Sequence, residues 1–297
     1  YDAIGTQLYD PRANAWSQEL CGLIAFPSYQ LPCVADAFAL AGGITAQAAH
    51  EFGLMEGTPV AVGSGDSVVE AFGVGVVQPG QATAKLATHG NVNVVTREVR
   101  PSPCLITYRH LVGGYGFNIA ATNAGAASLR WFRETLAHLT EAEAGVQGRG
   151  VHELVETVAS GAPVGCDGLL FHPYLMGERT PHWDPLLRGD FIGIGLHHRQ
   201  PHFVRAVLEG VAFSLRDCLS AVKDTGAPVN ELRVIGGGAK IKLWRQILCD
   251  VLGQPLLKPN VEDASFGAAL LAGVANGVGI AGLARGGACL CALRWRG

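Results

Sequence analysis

Charge is scarce in this sequence, at 16% of 297 residues, and it nearly cancels, with 22 Lys and Arg against 25 Asp and Glu. No basic block or stripe stands ready to neutralise phosphates along a duplex, so nucleic acid is not an expected partner. The eight cysteines form no CxxC pair and take no zinc-like spacing with histidine, which points to a reduced, cytoplasmic chain. Residues Tyr1 to Gly5 show no charged-then-apolar leader. A Walker loop, GxxxxGK followed by Ser or Thr, is absent, and no GxGxxG opens a helix after the first strand. Acid is missing altogether after Asp263. One stretch, Ala264 to Ala284, runs twenty-one residues without a charge, long enough to span a bilayer. Its five glycines, with Ser265 and Asn276, make a buried, glycine-interrupted helix the expectation, and no membrane contact.

What is present is apolar and glycine-rich. At 48% hydrophobic the chain has material for a sizeable core and roughly two domains. Glycine, at 40 residues, is about twice its usual share and clusters with Ala, Thr, Ser and Asp, as tight loops require. Residues 1–57 read as helical segments between loops, one opening near Ser17 and another over Thr45 to Phe52, closed by Gly53. Thr58 to Val62 reads as a strand leading into Gly63-Ser64-Gly65-Asp66, with a small-residue helix behind it. Residues 82–96 read as a hairpin with Thr88-His89-Gly90 at its tip. A helix is expected over Asn123 to Leu136, a shorter one between Gly148 and Cys166, a strand over Leu169 to Tyr174, and one long amphipathic helix from Pro201 to Lys223. Leu232 to Ile235 forms a further strand closing on Gly236-Gly237-Gly238-Ala239, with a helix through Leu252 after it. Strand, glycine turn and helix alternate, so the class is α/β. No structure is assigned to residues 286–297.

Three features could belong to a nucleotide site, and each has a plainer reading. Asp66 is either a helix-capping carboxylate or a base on a glycine loop. Thr88-His89-Gly90 is either an ordinary hairpin tip or a phosphate-facing turn, and Gly236 to Gly238 either a packing turn or a backbone approach to a ligand. Histidines 172, 182, 197, 198 and 202 show no HxxxH with an intervening acid, and read as solvated or core residues. Trp131, Trp183 and Trp244 read as core, and Glu178-Arg179 as an ion pair ordering a loop. Cys289 and Cys291 stand too close for an easy mutual disulfide.

Taken in order, these motifs resemble the FGGY carbohydrate kinases over about residues 1–280. The strongest match is Gly189-Asp190-Phe191-Ile192-Gly193-Ile194, followed after seven residues by His202-Phe203-Val204-Arg205-Ala206-Val207-Leu208-Glu209, which fits the family's second signature. Pro173 to Pro181 looks like its PYLxGERTP segment, Gly63 to Asp66 like its GGGD, and Lys85 to Gly90 like its SLGTSG. Ser67 stands where the family usually has Asn, and Ala87 where it has Gly.

The resemblance implies an actin-like, ribonuclease-H-type pair of domains, the first incomplete, divided here as residues 1–77, 78–285 and an atypical tail 286–297. It implies ATP and Mg²⁺ as cofactors and a sugar as substrate. Asp66 would be the general base and substrate contact, and would touch the metal through water. Ala87, Thr88 and Gly90 would face the phosphates, with Gly125 along the ribose or phosphates. Gly237, Gly238, Ala239 and Lys242 would lie beside the adenosine. The implied reaction is phosphorylation of D-xylulose to its 5-phosphate; ribulose, gluconate or glycerol as acceptor, and a non-catalytic nucleotide-binding fragment, stay open beside it. A homodimer through exposed apolar surface is a further expectation.

Overall fold

A computed structural model describes residues 2–279 and 291–293. Ahead of the main sheet come β1 (Tyr9–Asp10), β2 (Ala15–Trp16), α1 (Gln18–Leu23), β3 (Leu40–Gly43), α2 (Ala46–Phe52), β4 (Pro59–Ala61) and α3 (Asp66–Gly73). The central stretch holds β5 (Gln81–Leu86), β6 (Gly90–Thr96), β7 (Ile106–Arg109), β8 (Gly116–Thr122), α4 (Ala126–Thr135), α5 (Glu141–Val146), α6 (Val151–Ala159), β9 (Leu170–His172) and β10 (Asp190–Ile192). The last part is α7 (Gln200–Asp224), β11 (Glu231–Ile235), α8 (Lys242–Leu252), β12 (Leu256–Lys258), α9 (Ala264–Ala275) and β13 (Cys291–Leu293).

Seven strands join one mixed sheet in the order β13-β12-β11-β5-β6-β8-β7. Strand β11 lies parallel to both β5 and β12, whereas the pairs β5–β6, β6–β8 and β8–β7 are antiparallel. Alternation along the strands sorts side chains to two faces. Ala82, Ala84, Leu86, Val92, Val94, Leu232 and Val234 meet helices α4, α6, α7 and α8 in one core. Val95, Phe117, Ile119 and Ile235 meet α3 and α9 in the other. Helices on both faces of a sheet make the α/β class expected from the alternation of elements.

Helix α7, 25 residues long, starts with Pro201 in its first turn and buries Val204, Val207, Leu208, Val211 and Leu215 against the sheet. Trp244 is fully buried, and its indole N–H donates to the Leu208 carbonyl (2.9 Å). The other two tryptophans differ from expectation. Trp131 is 37% exposed because it stands on the solvent side of α4, whose Leu129 and Phe132 fill the core, and Trp183 is 47% exposed in the loop between β9 and β10, its indole N–H donating to the Cys104 carbonyl (3.1 Å).

The stretch 1–57 holds strands as well as helices, a correction to the purely helical reading: β1 pairs with β2, and β3 with β4. These pairings lie far apart or run over two residues, so period-2 patterning cannot signal them. Among the described residues before Val68, only Tyr9 and Cys21 are buried apolar side chains, and Leu23, Tyr29, Phe52 and Met55 stand exposed.

Helix α9 also corrects an expectation. Only Gly267 and Leu271 are buried, so it lies on α3 along one stripe and is not an enclosed helix. The rest of the charge-free run, beyond residue 279, lies outside the described residues, as do Cys289 and the tail except at β13, where Cys291 sits with its side chain undescribed. Among the described residues, no helix is long and apolar enough to cross a membrane. The α3–α9 crossing depends on two facing glycines. A Cβ at Gly73 would come within 2.8 Å of the Gly267 Cα, and one at Gly267 would strike the Val69 carbonyl.

Two predictions follow from this packing. Gly267→Ala should force α9 away from α3 and lower the unfolding free energy by about 1–3 kcal/mol, measured by denaturant titration. His110, 5% exposed against Phe117, accepts the Val112 N–H at Nδ1 (3.2 Å), and burial pulls its pKa down to about 4. Between about pH 6.5 and 4 the unfolded chain takes up a proton that folded His110 refuses, so stability should fall as pH drops through that window. The loss should reach up to about 3 kcal/mol at pH 4. In His110→Asn the same titration should show a shallower slope.

Candidate active site

Helix α3 opens on Asp66 immediately after Gly63-Ser64-Gly65, where no side chain crowds its first turn. Its carboxylate is exposed; Oδ1 accepts the Ser67 N–H (2.7 Å) and the Ser67 hydroxyl (3.3 Å), and Oδ2 has no hydrogen bond among the described residues. Gly65 is the N-cap of α3 and no side chain caps it, so Asp66, the first helical residue, does not cap the helix as the plainer reading had it and keeps one carboxylate oxygen without a partner among the described residues.

One turn further along α3, Glu70 is 8% exposed and pairs with Lys85 Nζ of β5 at 2.6 Å. Burial raises the Glu70 pKa, and the Lys85 ammonium opposes that rise. The negative fields of Asp66 and Glu262 also reach this carboxyl. Glu262 in turn accepts the Gly236 N–H (3.2 Å) and pairs with Lys258 (2.9 Å). At this end of the sheet the helix that starts with Asp66 is therefore tied to β5 through Glu70 and Lys85, and the glycine turn after β11 to the segment before α9 through Glu262.

The hairpin tip rests on the start of α4. Ala126 N–H donates to the Ala87 carbonyl (2.7 Å) and Ala127 N–H to the Thr88 carbonyl (3.1 Å). A Cβ at Gly125 would stand 2.6 Å from the Ala87 carbonyl oxygen, so no larger residue fits. Across from it, Gly236 holds φ +95°, and a Cβ there would meet the Leu86 carbonyl at 2.7 Å. Between hairpin, glycine turn and α4 lies a cavity of about 340 Å³, a size suited to a small ligand. Ala87, Thr88, Gly237 and Gly238 line it. Thr88 and Gly237 are exposed there, and nothing lies within 4 Å of where a Gly237 Cβ would project.

Other sequence-derived positions fall nearby but not on this wall. Gly90 and Gly125 are buried, the Gly90 N–H being spent on the Ala124 carbonyl (2.6 Å). Ala239 is fully buried in the core. Lys242 begins α8, its backbone N–H donating to Glu156 (3.0 Å), and its side chain is not on the cavity wall. Asp66 itself stands outside the cavity. Conversely, Arg130 and His152 line it and were not singled out from sequence. Arg133 is engaged by Glu134 (2.8 Å) and Glu141 (3.5 Å), whereas Arg130 has no ion partner among the described residues. The available signal was an Arg130–Arg133 spacing on one helix face, which also describes any solvated stripe.

Glu178 does order its loop, but through hydrogen bonds and not as a partner of Arg179. Its carboxylate, 3% exposed, accepts the Thr122 hydroxyl (2.5 Å), the Asn123 N–H (2.7 Å) and its neighbour's N–H (2.6 Å). Arg179 instead donates to the Thr122 carbonyl (3.1 Å). Both residues thereby fix the turn from β8 into α4. Three of the histidines do meet: the His197 and His198 rings lie 4.0 Å apart and His202 lies 5.4 Å from His198, with His202 Nε2 on Asp167 (3.2 Å). Among the described residues, however, no group of three or more His, Cys, Asp or Glu could hold a metal ion.

Comparison with known proteins gives this geometry its context. Residues 2–73 match the N-terminal domain, and residues 81–276 the C-terminal domain, of the FGGY family of carbohydrate kinases. The xylulose kinase of Bacillus subtilis is 32% identical over 279 residues, which cover 93% of this chain and 54% of the relative. The gluconokinase of the same organism is 32% identical over 77% of this chain and 45% of its own length. Among solved structures, the xylulose kinase of Lactobacillus acidophilus superposes with a TM-score of 0.84 at 25% identity, covering 98% of this chain and 58% of that one. The chain thus spans about half the length of the curated relatives it matches. The sheet flanked by helices is the actin-like fold of these kinases, and the chain belongs to the FGGY family of carbohydrate kinases.

Proposed function

We propose that this chain phosphorylates a sugar hydroxyl at the expense of ATP, with D-xylulose, giving D-xylulose 5-phosphate, as the acceptor. The observation that carries this reading is the tie between an exposed carboxylate and a phosphate-sized turn: Asp66 stands one turn from Glu70, which pairs with Lys85 three residues ahead of Thr88. Oδ2 of Asp66 would take the proton of the attacking hydroxyl as its oxygen bonds to phosphorus. An ordinary carboxylate suffices, because the hydroxyl turns acidic only as that bond develops.

In this reading Thr88 faces the phosphates, Arg130 adds positive charge, and Gly237 and Gly238 leave room for the purine. The crowding that excludes a Cβ at Gly125 and Gly236, beside the open face at Gly237, fits a nucleotide cradle. Buried Gly90 and Ala239 would shape that cradle from behind. Magnesium, when bound on the phosphates, would neutralise their charge, and Asp66 would contact its water shell. The division into units 1–77 and 78–285 belongs to the same proposal. So does a cytoplasmic setting, which the free thiols of Cys21, Cys33, Cys104, Cys166, Cys218 and Cys249 support.

Sugar-dependent ADP release should be measured with D-xylulose, ribulose, gluconate and glycerol in parallel. Turnover with D-xylulose, lost by at least about 100-fold in Asp66→Asn while ADP affinity stays within about twofold, is the expected result. Full turnover in Asp66→Asn would overturn the assignment of the base. Preference for another acceptor would replace D-xylulose, and ADP binding without turnover on any sugar would favour the non-catalytic binding reading. Arg130→Ala should weaken ADP about tenfold by calorimetry and leave the unfolding midpoint unchanged.

A further inference from the structure

A second, larger cavity of about 910 Å³ opens at the opposite end of the sheet, beyond the C-terminal ends of β6 and α7. Arginines reach it from three separate segments: Arg12 from the β1–β2 turn, Arg97 and Arg100 from the loop after β6, and Arg109 from the end of β7. Only two carboxylates, Glu98 and Asp224, share the lining, so four guanidiniums face two negative charges. Arg100 is occupied by Glu98 (2.8 Å) and by the Thr225 carbonyl (3.4 Å), and Arg109 donates to the Pro11 carbonyl (3.2 Å). Arg12 and Arg97, by contrast, have no side-chain hydrogen bond or ion partner among the described residues.

The wall that carries Arg97 and Arg100 is held in place. The Arg100 carbonyl accepts both the Thr107 hydroxyl (3.3 Å) and the side-chain amide of Asn118 (3.2 Å), and Asn118 is fully buried. Thr96 anchors the Glu98 carbonyl (2.7 Å). Cys104, at the end of the loop, has its carbonyl taken by Thr180 (2.7 Å) and by the Trp183 indole (3.1 Å). Like charges gathered on a braced loop repel one another, and a bound anion would relieve that repulsion without any rearrangement of the wall. Guanidinium forks match phosphoryl oxygens in pairs. A concave site with arginines on separated walls suits a small molecule with two phosphoryl groups better than a single phosphate or an extended duplex.

We infer that this arginine-lined cavity binds a small polyanion carrying two phosphoryl groups, at a site distinct from the α4 cavity. The inference does not depend on the proposed kinase reaction. Inorganic pyrophosphate is the probe, titrated into the full chain by calorimetry, with orthophosphate for comparison. Pyrophosphate should bind more tightly than orthophosphate, and more weakly as salt rises. The double variant Arg12→Ala/Arg97→Ala should lose at least about tenfold in affinity, with an unchanged unfolding midpoint, because neither side chain has a partner to lose. Glu98→Gln should tighten pyrophosphate severalfold by freeing Arg100, a gain that misfolding cannot imitate. Absence of pyrophosphate binding, affinity unchanged in both variants, or affinity lost only in Arg130→Ala would each overturn the inference.

Discussion

The ion pair between Lys85 and Glu70, 2.6 Å apart on the α3 face of the sheet, joins the helix that starts with Asp66 to the strand that ends at Leu86, two residues before Thr88. Strand alternation sends Ala82, Ala84 and Leu86 into the α7 core, so Lys85 must point the other way, toward α3. Burying a carboxylate there is costly and raises the Glu70 pKa, and the Lys85 ammonium directly beside it offsets part of that rise. The pair is therefore more a device of position than of stability. Any tilt of α3 relative to β5 would separate the two charges in a half-dry environment, where their attraction is stronger than in water.

Glycine makes that position possible. The facing Gly73 and Gly267 let α9 lie against α3 at backbone contact, and α9 in turn covers the outer side of the helix that carries Asp66. Glu262, two residues before the start of that packing, takes the Gly236 N–H. The same short stretch thus steadies the acid's helix and the glycine turn across the cleft.

Buried polar anchoring recurs wherever a loop must keep its shape. Glu178 gathers three donors at the entry to α4, and the Arg100 carbonyl gathers two on the far side of the sheet. Glu178 at one end, and the donors Thr107 and Asn118 at the other, lie out of water, so leaving them unmatched would be expensive, and the loop has one low-energy arrangement. The two ends of the sheet are built alike in this respect. They differ in charge: the α3 end alternates acid and lysine, whereas the α7 end collects arginine.

Much of this was legible in the chain itself. Apolar period and glycine placement define β5, β6, α7 and β11 because each is a long or strongly patterned element. The ordered motifs around Asp66, Thr88 and Gly236 mark the proposed functional end for the same reason: backbone conformations without a Cβ leave glycine in the sequence. Tertiary structure alone decided the rest. That Glu70 meets Lys85, that Glu178 serves Thr122 and Asn123, that Arg130 lines the α4 cavity, and that four arginines from three segments converge beyond α7 are all long-range events. A charged residue on an exposed stripe and one poised in a cavity have the same local pattern, and only the path of the folded chain brings their partners within reach.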